Sequence, residues 1–311
     1  MSEEIDFSKS ILALAPLAGF TDLPFRNVVK QFGADLTFSE MISANALKYR
    51  CAKTFRMLEK SPLETPYIVQ IAGSDLNNIK EAVLILNDIE GIDGIDLNCG
   101  CPVPKIISQE AGSSLLLDLP KMQKIIETIK THSTKRYTSA KVRLGFNTKI
   151  PEEIAKACES AGVDFLSVHG RTRSGGYTAE VDYAAIARAK QAVSIPVFAN
   201  GDITNYEKAL HVKELTGCNH LMIGRGAVGN PWIFYQIKHE LFKVEKEKIA
   251  QIVLEHYDSM CAFYGEKGPS IFRKHLHTYS KGMREASEFR DRINRIDDAV
   301  VMREAIQAFF V

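Results

Sequence analysis

The 311-residue sequence predicts an α/β protein: a (β/α)8 barrel followed by a small C-terminal helical domain. Two observations carry this. Short apolar runs alternate with amphipathic stretches from residue 11 to about residue 240, making eight strand–helix pairs. An open doubly wound sheet, the alternative, usually has fewer strands. After about residue 245 the pattern becomes purely helical.

Taken in order, strands are expected at residues 11–15, 36–40, 67–71, 94–98, 140–144, 165–169, 196–200 and 220–224. Helices are expected between them at 23–31, 44–56, 76–88, 119–130, 151–161, 182–191 and 205–215, with a shorter one from Pro231. Pro151 opens one helix ahead of Glu152 and Glu153, and Thr204 is a candidate cap before Asn205. The C-terminal helices are expected at 247–264, 271–283 and 288–310, separated by the break at 265–269 and by Gly282. The domains are therefore residues 1–244, the barrel, and 245–311, the helical appendage.

Apolar residues make up 45 % and charged residues 25 %, the composition of a globular protein with a large core. Lys and Arg number 39 against 38 Asp and Glu, which excludes a histone-like polycation while leaving room for a local basic patch. The uncharged stretches at 11–21 and 67–74 fall short of the roughly 20 residues that span a bilayer. The start is acidic (Glu3, Glu4, Asp6) where a secretory signal would be basic and then apolar, so a cytoplasmic location without membrane contact is expected. Six cysteines in such a chain are expected to be free thiols. Cys99 and Cys101 lack the second ligand pair a zinc site needs, so no metal is expected.

In a barrel of this kind the chemistry sits at the carboxyl ends of the strands and in the loops that follow. Here those places carry Ala15-Pro16-Leu17-Ala18-Gly19-Phe20-Thr21-Asp22, Ser39-Glu40, Gln70, Asp96-Leu97-Asn98-Cys99-Gly100-Cys101-Pro102, Lys141-Val142-Arg143, His169-Gly170-Arg171-Thr172, Asn200-Gly201-Asp202 and Gly224-Arg225-Gly226. The last two ends suit a phosphate, since Gly201, Gly224 and Gly226 let backbone N–H groups approach and Arg225 adds a bidentate donor. Lys141 interrupts an apolar strand, so its ammonium enters the mouth, either as a Schiff-base nucleophile or as a point charge over an electron-rich ring. Cys101, held between Gly100 and Pro102, is expected on a rigid exposed loop. A free thiol titrates near ~8.5, so at neutral pH it can give a proton or, once ionised, act as a nucleophile. His169 is a candidate partner.

Together these segments, with Met222-Ile223 and Pro231-Trp232, resemble the tRNA-dihydrouridine synthase family, flavin enzymes that reduce particular uridines in tRNA. The resemblance covers the whole barrel and weakens after about residue 245. It implies an FMN across the mouth, reduced by NADPH with NADH the alternative. Pro16, Leu17 and Ala18 would line the flavin ring, Gln70 would hydrogen-bond it, and Lys141 would place charge beside its pyrimidine end. Asn200, Gly201, Asp202, Gly224 and Arg225 would hold the ribityl chain and phosphate, with His169 joining the flavin site. Cys101 would protonate C5 of a uridine flipped into the mouth, with Asn98 and Arg171 touching the base. Leu17 stands where many members have Met, and Cys99 adds a second thiol two residues from Cys101.

The rival readings are a flavin dehydrogenase of free pyrimidines or another small substrate, a Lys141 Schiff-base aldolase, and an RNA-binding module without catalysis. Residues 267–295 carry eight Lys and Arg against three acids, which makes this stretch the expected tRNA face, with Arg273 and Lys274 as contacts. No obligatory protein partner is expected, and the chain is expected to be a monomer.

Overall fold

The computed structural model describes residues 4–241 and 244–311; Glu3, at the acidic start, lies outside them. Among the described residues nine strands form one parallel sheet: β1 (Leu12–Leu14), β2 (Thr37–Phe38), β3 (Ile42–Ser43), β4 (Tyr67–Ala72), β5 (Gly94–Cys99), β6 (Tyr137–Arg143), β7 (Phe165–His169), β8 (Val197–Asn200) and β9 (His220–Ile223). The sheet curls until β1 pairs with β9, and on its other side the Leu14 N–H donates to Leu36 O at 2.9 Å. Since β2 and β3 both pair with β4, they are two pieces of one stave, and eight staves make the expected (β/α)8 barrel. The 36–40 strand is interrupted because Ser39 Oγ, not a backbone carbonyl, accepts the Gln70 N–H at 2.9 Å.

Helices cover the outside, and between them and the sheet lies the main core of Ile, Leu, Val and Ala side chains. The barrel's interior floor is aromatic, with Phe38, Tyr137, Phe165 and Phe198 packed together under Phe7. Three helix expectations need correction. The 44–56 helix is two, Ala44–Lys48 and Ala52–Arg56, split beside Arg50 at φ +48°. The 288–310 helix is also two, Ala286–Ile293 and Ala299–Phe310, the second capped by Asp298, whose carboxylate accepts from the Val300 and Val301 N–H groups. Asn205, not Thr204, caps the helix Tyr206–Thr216, taking the Lys208 N–H at 2.8 Å.

The C-terminal helices, chiefly Lys246–Tyr264, Gly268–Tyr279 and Ala299–Phe310, enclose a second core that includes Val253, Tyr257, Phe272 and Met302. Pro269 sits in the first turn of its helix, so the sequence break at 265–269 narrows to a single 3-10 turn, Gly265–Lys267. This core reaches back to Val28 on the barrel's first helix, Leu23–Gln31. Among the described residues, no helix is long and apolar enough to cross a membrane.

Candidate active site

Parallel strands put all eight carboxyl ends at one mouth, and alternate residues of each strand point inward. That alternation places Gln70 on β4, Asp96 and Asn98 on β5, Ser139 and Lys141 on β6, His169 on β7 and Asn200 on β8 above the aromatic floor. In-register pairing sets Gln70 beside Asp96, Asp96 beside Ser139, and Asn98 beside Lys141.

The loop after β5 is held from both sides. Asn98 Oδ1 accepts the N–H groups of Gly100 at 3.1 Å and Cys101 at 2.9 Å, a local turn that lifts the chain off the strand. Cys101 O accepts from the Ser113 N–H and hydroxyl, and a Cβ on Gly112 would meet Cys101 O at 3.0 Å. Arg143 donates to Gly100 O at 2.8 Å and to Thr172 O and Gly176 O at 2.9 Å, tying this loop to the one after β7. The two thiols separate clearly. Cys99 ends β5 facing the helices, fully buried, and burial pushes its thiol well above the ordinary range, whereas Cys101 is only half-buried.

Lys141 is pulled down to about 8, first by burial and then by Arg143, while Asp96 and Cys101 oppose the shift. Its ammonium donates to the neutral Asn200 Oδ1 at 3.2 Å, and Asn200 Nδ2 in turn donates to Met222 O. His169 is driven down to about 2, by burial above all and then by the surrounding Lys and Arg charges, so it is a neutral imidazole. A neutral ring can still give or take a hydrogen bond.

At the ends of β8 and β9, Asp202 accepts from Arg171 Nη2 at 2.5 Å and from Arg225 Nη2 at 2.9 Å, and the first of these bonds is the main cause of its lowered pKa. Two cations on one carboxylate leave this corner with a net positive charge. The backbone approaches closely here: a Cβ on Gly226 would lie 2.0 Å from Ile203 O, and one on Gly201 would lie 2.7 Å from Val181. A Cβ on Gly224 would touch Ala15 and Leu17 at ordinary contact distance. Pro16 and Leu17 are half-buried at the rim and Ala18 is exposed.

The structure thus gathers Leu17, Gln70, Asn98, Cys101, Lys141, His169, Asn200, Gly201, Asp202, Gly224 and Arg225 around one opening. Arg171 is also there, but nearly buried, donating to Asp202 and to Ala179 O. Arg273 is elsewhere, donating to Ile293 O, Ile296 O and Asp297, a brace across the helix break at 294–298. Lys274 instead lies over the Phe20 ring at 5.4 Å, beside the mouth's first loop. The sequence reading missed Ser139, found only through strand alternation, and Tyr177, whose ring sits between the Arg143 and Arg225 guanidiniums at 5.2 and 4.9 Å.

A closed parallel barrel whose mouth joins a thiol loop, a desolvated lysine and a cationic glycine-lined corner defines a (β/α)8 enzyme. The dihydrouridine synthase (Dus) family model matches residues 13–311. A probable tRNA-dihydrouridine synthase of Helicobacter pylori is 49% identical over 308 residues, covering 98% of this chain and 94% of that protein. A tRNA-dihydrouridine synthase B of Pseudomonas syringae is 40% identical over 309 residues, covering 96% and 91%. Among solved structures, an old yellow enzyme homologue from Zymomonas mobilis superposes with TM-score 0.54 at 11% identity, covering 77% of this chain and 91% of that one, a likeness of fold. The chain belongs to the dihydrouridine synthase family, and its reaction class is that of a tRNA-dihydrouridine synthase, an oxidoreductase acting on tRNA.

Proposed function

We propose that the mouth holds FMN, that NADPH, or NADH in its place, is the reductant, and that Cys101 is the acid that completes reduction of a uridine C5–C6 double bond. The observation that carries this reading is that Asn98, whose Oδ1 holds the Cys101 N–H, stands in register beside Lys141, which brings the thiol loop and the ammonium to one opening. The donor set fits the cofactor. A half-desolvated ammonium with one neutral partner suits the electron-rich edge of a flavin, and the Arg225 corner with its close backbone suits a phosphate. When bound, FMN supplies a hydride to C6 of the uracil.

The chain's own residues do the rest. With FMN bound, Lys141 would set its ammonium, aimed by Asn200, beside the ring and favour negative charge there. Leu17, flanked by Pro16 and Ala18, would line the ring, and Gly201, Gly224 and Arg225 would hold the phosphate. Cys101, fixed through its backbone, presents its thiol to C5 and gives up the proton, and His169 orients a polar edge as a neutral imidazole. Residues 1–244 form this catalytic unit, and 245–311 grip the tRNA, with Lys274 placed where RNA entering the mouth would pass. We place the protein in the cytoplasm, acting as a monomer.

Mixing apoprotein with FMN tests the site. Quenching of flavin fluorescence should saturate at one flavin per chain, and Arg225→Ala and Lys141→Met should each weaken affinity by about tenfold or more. Failure of the wild-type protein to bind FMN overturns the reading.

A further inference from the structure

At the base of the mouth lies a buried chain of hydrogen bonds with a direction. Ser139 Oγ donates to Asp96 Oδ1 at 2.6 Å, and Gln70 Nε2 donates to Asp96 Oδ2 at 2.7 Å. Asn98 Nδ2 donates to Gln70 Oε1 at 2.8 Å, and Asn98 Oδ1 accepts the Gly100 and Cys101 N–H groups. Asp96, Gln70 and Ser139 are essentially inaccessible to solvent, and Asn98 is 8% exposed.

The direction is fixed at both ends. A carboxylate can only accept, and a backbone N–H can only donate. Between them stand two side-chain amides that could each be turned either way. With acceptor at one end and donors at the other, only one orientation of Gln70 and of Asn98 satisfies every bond.

We propose that Asp96 is a positioning residue for the reaction: its carboxylate sets which way the Gln70 and Asn98 amides point, and through Asn98 it holds the backbone that carries Cys101. This rests on the reading of Cys101 as the acid and of Gln70 as a cofactor contact. The site retains a carboxyl at a cost, since burial pushes Asp96 up to about 6. The group also opposes the loss of charge on Lys141, so it serves both sides of the mouth.

The test removes the acceptor at position 96 in one variant and keeps it in another. Asp96→Leu leaves Gln70 Nε2 without an acceptor, so the Gln70 amide is free to turn away and Asn98 loses the partner that holds its Nδ2. Asp96→Asn keeps an oxygen toward Gln70, while its own amide donates to a turned Ser139 hydroxyl.

The readout is the alkylation rate of Cys101 by iodoacetamide in apoprotein, resolved by peptide mass spectrometry with exposed Cys51 as internal reference. It needs no flavin, so a failed FMN reading leaves it intact. Loosening Asn98, and with it the bond that holds the Cys101 N–H, should speed alkylation about five- to tenfold in Asp96→Leu, with Asp96→Asn within about twofold of wild type. Should Asp96→Leu not fold, Gln70→Leu removes the same link one step along the chain and should show the fast rate. An Asp96→Leu or Gln70→Leu protein as slow as wild type, or an Asp96→Asn protein as fast as Asp96→Leu, overturns the proposal.

Discussion

The barrel and the helical bundle bury ionisable side chains in opposite ways. On the barrel side Arg26 and Glu64 are both inaccessible, with Nε and Oε1 2.6 Å apart. Glu64 also accepts from Thr37 and the Ser61 N–H, while Arg26 donates to Thr21 O and Glu59 O. At the seam with the bundle, His256 and His275 are equally buried, their ring centroids 4.7 Å apart, among Phe20, Phe25 and Phe272. Among the described residues, His275 has no hydrogen-bond partner on either nitrogen, and His256 has only Tyr279 OH on Nδ1. Burying a charge costs several kcal/mol unless it is paired. The barrel keeps charge where it must fix a loop at the mouth, since Arg26 pins Thr21, and the seam uses imidazoles as flat neutral rings.

The sharpest break of this comparison is Glu64→Ala, which strands Arg26 and should cost about 3–5 kcal/mol of unfolding stability in urea melts. A loss below about 1 kcal/mol would mean the pair does not hold the charge.

The acid limb of the stability curve distinguishes the two regions by sign. Burial holds His256 down to about 3 and His275 well below its ordinary value, so below the unfolded value of 6.5 the unfolded chain binds protons that the folded chain refuses. Stability therefore falls as pH drops from about 6.5, by roughly one kcal/mol per pH unit for each histidine. Asp96 is raised to about 6 from 3.8, so its penalty is full above pH 6 and is relieved as pH falls toward 3.8. His275→Phe should flatten the acid limb and Asp96→Asn should steepen it; slopes that move together would refute the contrast. At neutral pH, His275→Phe should change stability by under about 1 kcal/mol, because the ring is replaced by one of similar shape and two unpartnered nitrogens disappear.

The smallest stability effect belongs to Lys274→Glu, within about 0.5 kcal/mol. It should still raise the apparent KM for tRNA several-fold and leave NADPH oxidation without tRNA unchanged. Unchanged tRNA kinetics would move the RNA face away from the Phe20 edge.

The barrel and most of the mouth were legible because each strand end carries its polar residues in a contiguous run, as at Asn98–Cys101 and Asn200–Asp202. What stayed hidden depends on register between strands far apart in sequence. Asp96, Gln70 and Ser139 meet only because β4, β5 and β6 align, and no local pattern states that alignment. Arg273 reads as a basic surface residue until the helix break it braces is seen, and that break depends on Asp298 capping a new helix within a continuous helical-looking run. Between Cys99 and Cys101, shared strand alternation could not choose; the turn at Asn98 ends the strand and separates them.

One measurement tests that separation of the two thiols directly. Wild-type, Cys101→Ala and Cys99→Ala proteins would each be loaded with FMN and given NADPH and unmodified tRNA, and dihydrouridine would be quantified by mass spectrometry. All three should bind flavin, Cys101→Ala should lose product formation by about 10²-fold or more, and Cys99→Ala should stay within a few-fold of wild type. Loss of product in Cys99→Ala with full activity in Cys101→Ala would contradict it.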